Sequence, residues 1–174
     1  LEGEDDDSLD EQMEAVAELA EELECLDILV VDTPTLKREV WTAHDAFHTS
    51  METAKSEGEM NVDVPPEAVA EFVEYAKGLS GGEVSVMAYA HVLSGGVHVH
   101  AASTLSKEEF VPVFAELAAA VYGKCSELGG DVSGEYGIGC AKTGYLAEEH
   151  RAAHRELKSE LDPKGILNPG KVVV

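Results

Sequence analysis

The sequence predicts an α+β sandwich, with helices packed on one face of a mostly antiparallel sheet. Three observations carry this reading. Amphipathic segments at helical spacing alternate with short runs rich in β-branched residues. Two of those runs are joined by a short turn containing Ser94, Gly95 and Gly96, which suits a hairpin and not a parallel crossover. At 174 residues and 44% hydrophobic composition, the chain has enough apolar material for one core of ordinary size.

The elements follow in order. Ser8 and Glu11 make a capping-box pattern, and Met13, Val16, Leu19, Ala20 and Leu23 recur at helical spacing behind it, opposite an acidic face. The run Ile28 to Val31 reads as a buried strand ended by Asp32, Thr33 and Pro34. A helix from about Leu36 to Ala54 carries Val40, Ala43 and Phe47 on one side. Asn61 to Val64 reads as a short strand, and Pro65 and Pro66 open a helix with Val69, Phe72, Val73 and Ala76 as its stripe. Val84 to Val92 and Val97 to Ala102 form the hairpin, which holds three of the seven histidines. Ser106 and Glu109 cap a helix bearing Phe110, Val113, Phe114, Leu117 and Val121, ended by Gly129 and Gly130. A glycine-rich loop, Ser133 to Gly139, leads to a polar helix near Tyr145 to Leu161, and Pro163, Gly165 and Pro169 break up the exit.

Charge narrows the partners. With 35 acidic and 12 basic residues the formal net charge is -23, which repels nucleic acid and anionic membrane surfaces. Concentrated salt screens such self-repulsion, so the acidity reads as adaptation to a saline cytoplasm; a basic protein partner is the alternative. No apolar run is long enough to span a bilayer, and the amino terminus is acidic where a signal peptide is basic. A cytoplasmic protein is expected, peripheral to the inner membrane face at most. Cys25, Cys125 and Cys140 lack any CxxC spacing and read as small buried hydrophobes in a reducing compartment.

The residues that bear chemistry sit in the hairpin and the glycine-rich loop. His91 and His98 flank the tight turn, so their imidazoles can converge from neighbouring strands, and Glu135 between Gly134 and Tyr136 offers a carboxylate. Two imidazoles and a carboxylate suit a Zn, Mn or Fe type ion with an open position. Strand histidines that are merely hydrogen-bonded give the same spacing. His100 shares the strand face of His98 and is a substitute ligand or a base. The pairs His44/His48 and His150/His154 are four apart on helices, lack a third ligand nearby in sequence, and read as solvent-exposed.

Larger motifs then point to a family. The segments GEYGIGCAKTGYL and LDPKGILNPGKV resemble the carboxyl-terminal signature of the FAD-linked oxidase family, which includes D-lactate, glycolate and D-2-hydroxyglutarate dehydrogenases. AHVLSGGVHVH is similar to that family's histidine and GDGN segment, with equal histidine spacing. VWTAHDAF, NVDVPPEAVAEF and the opening LEGEDD resemble further family segments, so the likeness covers essentially the whole chain. It implies a ferredoxin-like cap over 1–132, and a glycine-rich loop, helix and flavin-facing segment over 133–174. FAD would be held mainly by a domain absent from this chain, with Gly137, Asn168 and Lys171 facing it from this side. His91, His98 and Glu135 match residues that hold a divalent metal against the substrate's carboxylate and hydroxyl. A small 2-hydroxy acid would then lose hydride to flavin N5.

Several positions depart from the family pattern. His44 stands for a clamping arginine and Glu59 for a lysine, which weakens the hold on a second substrate carboxylate. Leu93, Ser94, Gly95 and Gly96 replace GDGN, and Tyr136 replaces the histidine expected as general base. Tyr136 and His100 are therefore the candidate catalytic residues. The expected function is the substrate portion of an FAD-dependent dehydrogenase of the D-lactate or glycolate type, inactive alone. The rival is a ferredoxin-like binding or regulatory module that has lost catalysis. Electron acceptor and homo-oligomerisation are left open.

Overall fold

A computed structural model describes residues 3–26, 28–50 and 54–173, with the side chains of 47–50 left outside the description. Leu1 and Glu2 of the opening motif, Phe47 and His48 as helix-face side chains, and 51–53 of the helix expected to reach Ala54 therefore lie outside the described residues. The chain divides into two compact units, Leu1–Phe47 and His48–Val174. The expected division of roles at 132/133 falls within the second.

The first unit contains α1 (Asp6–Glu22) and α2 (Pro34–Ser50). α1 starts one turn earlier than the sequence suggests, because Asp5 is its N-cap and Ser8 returns the reciprocal bond to the Asp5 backbone. The strand expected at Ile28–Val31 is not there: 28–31 is irregular, and Leu29 and Val30 are exposed. β-branched residues favour a strand only where a ladder accepts them. α2 begins at Pro34, whose fixed φ and missing N–H suit a first turn.

The second unit holds the sheet. β1 (Ser56–Asp63), α3 (Val69–Gly78), β2 (Val84–His91), β3 (Gly96–Ser103) and α4 (Lys107–Glu127) follow one another, then α5 (Glu148–Leu161). A 3-10 turn at Pro66–Ala68 precedes α3 and another at Thr143–Tyr145 precedes α5. The strands lie in the order β1-β3-β2, with both pairings antiparallel. α3 packs on β2 and α4 on β1, and after α4 the chain returns alongside β1 through an antiparallel bridge between Asp63 and Asp131. This is the α+β sandwich expected, with the ferredoxin-like order and a fourth edge reduced to one bridge.

Strand alternation sorts the side chains. Met60, Val62, Val97, Val99 and Ala101 are buried in a core with Phe72, Val121 and Cys125. β1 starts five residues before the strand read from the sequence, because Ser56–Glu59 is polar and hides its alternation. Gly58 belongs to that stretch: a Cβ there would lie 2.3 Å from the Phe114 ring, so the glycine lets α4 approach the strand. The α4 capping box at Ser106 and Glu109 forms as expected. The cysteines correct the sequence reading, since Cys125 is buried but Cys25 and Cys140 are exposed. Burial pushes the Cys125 thiol up to about 12. Among the described residues, no helix is long and apolar enough to cross a membrane.

Candidate metal and substrate site

The face of the sheet away from α3 and α4 collects the polar residues. On β3, Val97, Val99 and Ala101 enter the core, so the intervening His98 and His100 emerge on the opposite face. The register places Asn61 and Tyr89 on either side of His98, and Glu59 and Met87 on either side of His100. His98 and His100 are both 5% exposed. The Tyr89 ring stacks on His98 at 4.5 Å between centroids, nearly parallel at 12°. Burial, then the carboxylates of Glu59 and Glu135, raise the Tyr89 phenol above its usual range.

His91 ends β2 and meets the His98 ring edge-on, with centroids 5.4 Å apart. The turn between them is tight. Gly95 has φ +81, its carbonyl accepts from Val64 N at 2.9 Å, and its amide donates to the His91 carbonyl at 3.0 Å. Glu135 arrives from the glycine-rich loop. Gly134 passes close to the Val62 backbone, where a Cβ would have only 3.3 Å. Lys142 then fastens the loop: its Nζ donates to the carbonyls of Asn61 at 3.0 Å and Glu135 at 3.3 Å. Burial holds the Lys142 pKa below the usual lysine range, although Asp63 and Glu59 oppose that shift.

His98 Nε2 consequently lies 3.6 Å from Glu135 Oε1, and ligand atoms of His91, His98 and Glu135 all fall within 4.8 Å of one another. Two nitrogen donors and one oxygen donor at that separation fit a divalent ion of the Zn, Mn or Fe type. His91 and Glu135 are exposed, which leaves room for a further oxygen ligand from solvent or substrate.

The other residues singled out by sequence fall as follows. Tyr136 adjoins Glu135 but is 78% exposed, with φ +65, an uncommon conformation for a non-glycine residue. Gly137 lies in the same loop at φ +69 with open space around its α-carbon. Asn168 and Lys171 line a shallow groove with Leu157, Leu161 and Val172. The terminal segment and the glycine-rich loop meet where Val172 N donates to the Gly139 carbonyl at 2.8 Å. His44 contacts Trp41 and lies 3.3 Å from Asp45 on α2. His150 is exposed on α5, and its Nδ1 lies 2.9 Å from Asp131 Oδ2.

Sequence reasoning missed four contributors. Asn61, Tyr89 and Lys142 were not singled out, and Glu59 was read only as a lost cation. Counting alternate residues back along β1 from buried Met60 and across to β3 would have placed Glu59 opposite His100. Away from the cluster, Asp162 also carries no sequence signal: its carboxylate accepts from Lys158 and from the amides of Ile166 at 3.0 Å and Leu167 at 2.9 Å. The Lys158 hydrogen bond chiefly, with these amides, holds Asp162 below the usual carboxylate range. A lowered carboxyl pKa contributes stability above its unfolded value and loses it as pH falls through the folded value. Asp162→Asn is therefore expected to lower thermal stability at neutral pH, with the gap to wild type closing below about pH 4 in melting curves.

Comparison with known proteins adds the wider context. The family model for FAD linked oxidases, C-terminal domain, matches residues 1–172. A D-lactate dehydrogenase of Anaerostipes hadrus is 34% identical over 179 residues, covering 99% of this chain and 38% of that protein. A D-lactate dehydrogenase of Archaeoglobus fulgidus is 30% identical over 171 residues, covering 96% of this chain and 38% of that protein. The glycolate oxidase subunit GlcD of Bacillus subtilis is 29% identical over 114 residues, covering 63% of this chain and 24% of that protein. The chain thus spans less than two fifths of the length of the relatives it matches.

Proposed function

The chain belongs to the FAD linked oxidases, C-terminal domain family, and from that premise we propose that it is the substrate-side portion of an FAD-dependent oxidoreductase that oxidises a small 2-hydroxy acid. The single observation carrying this reading is the convergence of His91, His98 and Glu135 on the sheet face away from α3 and α4. When bound, a divalent ion there would polarise the substrate's oxygens, and FAD would take the hydride.

This chain's residues do the holding. His91, His98 and Glu135 would hold the ion, and the stacked Tyr89 ring with buried Lys142 keeps two of these residues in place. For the hydroxyl proton, His100 is the better acceptor of the two candidates. Its ring is on the same sheet face as His98, with Glu59 Oε1 3.9 Å from its Nε2 to stabilise an imidazolium, whereas Tyr136 points into solvent. Gly137, Asn168 and Lys171 belong to the surface that would meet the flavin and a separate FAD-binding domain. Their exposure suits a partner surface and not a closed flavin pocket, so the chain alone is expected to be inactive.

With Glu59 near the two buried imidazoles, a substrate with one carboxylate, of the D-lactate or glycolate type, is favoured over a dicarboxylate. The test is anaerobic mixing of the full-length protein with D-lactate, glycolate and D-2-hydroxyglutarate, following the visible absorbance of oxidised flavin. Bleaching by a monocarboxylate at lower concentration than by the dicarboxylate is expected. Absence of bleaching with every 2-hydroxy acid would overturn the enzyme reading in favour of a binding module.

A further inference from the structure

We propose that Glu59 is a positioning residue: its carboxylate accepts a hydrogen bond from the Nδ1–H of His98, which keeps the proton on that nitrogen and so presents an unprotonated Nε2 toward Glu135 and His91. The inference rests on reading those three residues as cation ligands.

The geometry begins with the ring itself. His98 is 5% exposed, its Nδ1 is buried, and no hydrogen-bond partner meets that atom. The opposite nitrogen, Nε2, is the one that lies 3.6 Å from Glu135 Oε1. A neutral imidazole carries one N–H, so whichever nitrogen keeps the proton cannot bind a cation. Ligation through Nε2 therefore requires the proton at Nδ1, and a proton buried there requires an acceptor. Glu59 Oε1, at 3.7 Å, is the carboxylate oxygen within ion-pair reach of Nδ1 among the described residues.

Two features keep that oxygen in position, and a third holds the ring it faces. Asn61 Nδ2 donates to Glu59 Oε1 at 3.0 Å, and antiparallel pairing fixes Glu59 across from His100 and Asn61 across from His98. Tyr89, stacked on the other strand's side, opposes rotation of the His98 ring. The Glu59 side chain is 29% exposed, so it has room for the small rotation that shortens 3.7 Å to a hydrogen bond. A lysine at this position would bring three donors and no acceptor, and could not hold the Nδ1 proton.

The experiment uses full-length protein labelled with 15N-histidine and stripped of cations, with the His98 signal assigned by its absence in His98→Gln. Long-range proton–nitrogen correlation reads the tautomer directly. In the wild type His98 is expected to be protonated at Nδ1 and bare at Nε2. Glu59→Gln, whose amide oxygen still accepts, should keep that state, whereas Glu59→Leu and Glu59→Lys should shift it toward Nε2–H. Zn2+ affinity, measured by competition with a chelator, is expected to fall about 10- to 100-fold in the leucine and lysine variants, and less in Glu59→Gln. Melting curves identify any variant that fails to fold, and the glutamine and leucine pair then carries the comparison. An Nε2-protonated His98 in wild type, or a Glu59→Leu protein with unchanged tautomer and Zn2+ affinity, overturns the proposal. Wild-type protein that takes no Zn2+ sinks the cluster as a cation site and with it the purpose assigned to Glu59. The tautomer signal separates that failure from a failure of the Glu59 contact itself.

Discussion

Replacing His98 by alanine in the full-length protein is expected to lower 2-hydroxy acid oxidation by about three orders of magnitude, and to remove tight divalent-cation binding. His98 is the buried member of its cluster, flanked by Glu135 on one nitrogen and Glu59 on the other. Its loss leaves the cluster with two exposed ligands, His91 and Glu135. Polarisation of a substrate oxygen by a metal is a contribution of several kcal/mol, and about 1.4 kcal/mol corresponds to tenfold in rate, which gives the magnitude. The Tyr89 ring loses the nearer of its two stacked imidazoles and keeps His100 at 5.7 Å between centroids, a modest packing loss that thermal melting should register. The control is His150→Ala, which breaks a surface pair with Asp131 and should leave cation content unchanged. Paired measurements of bound metal by elemental analysis and of turnover would contradict the assignment if His98→Ala retained both.

How far the sequence discloses this site depends on which physical rule each part obeys. The hairpin is legible because strand alternation is local: in the segment from Gly96 to Ser103, valines and an alanine take one side and the histidines the other. The helix capped by Ser106 is legible for the same reason, since its cap and apolar stripe are set within a few residues. Ile28 to Val31 misleads because the same local pattern gives a strand only when another chain segment offers a ladder, which no propensity encodes. Glu59 was hidden by register: its neighbours His98 and His100 are some forty residues away, and only the pairing of β1 with β3 brings them together. The same holds for Lys142, whose partner Asn61 is 81 positions distant. The place of Glu135 beside the imidazoles could be anticipated only through a family likeness, because no spacing rule predicts where a glycine-rich loop will fold back. Exposed Cys25 and Cys140 show the limit of reasoning from residue type, since only the packed structure decides which thiol meets the core.

Gly95→Ala tests whether the hairpin turn, which touches no ligand atom, sets the geometry of the cluster. Two penalties coincide at this position. The backbone sits at φ +81, where an L side chain is disfavoured, and an added Cβ would lie 1.9 Å from the Val64 carbonyl oxygen. That oxygen is backbone, so it cannot swing aside as a flexible side chain could. The turn or the segment after β1 must move instead, breaking the bond from Val64 N to the Gly95 carbonyl. A stability loss of about 2–4 kcal/mol is expected, seen as a melting temperature lower by about 5–15 °C. Zn2+ affinity should fall with it at temperatures where the protein is still folded, because displacing the turn shifts His91 relative to His98. Gly82→Ala is the matched comparison. Gly82 also has positive φ, +57, but nothing lies within 4 Å of its added Cβ, so strain acts there without a clash. A loss of only about 1 kcal/mol and full Zn2+ affinity are expected for it. Should the two variants melt alike and bind Zn2+ alike, the position of the imidazoles would have to be fixed by strand pairing and ring stacking, with the turn a passive link between them.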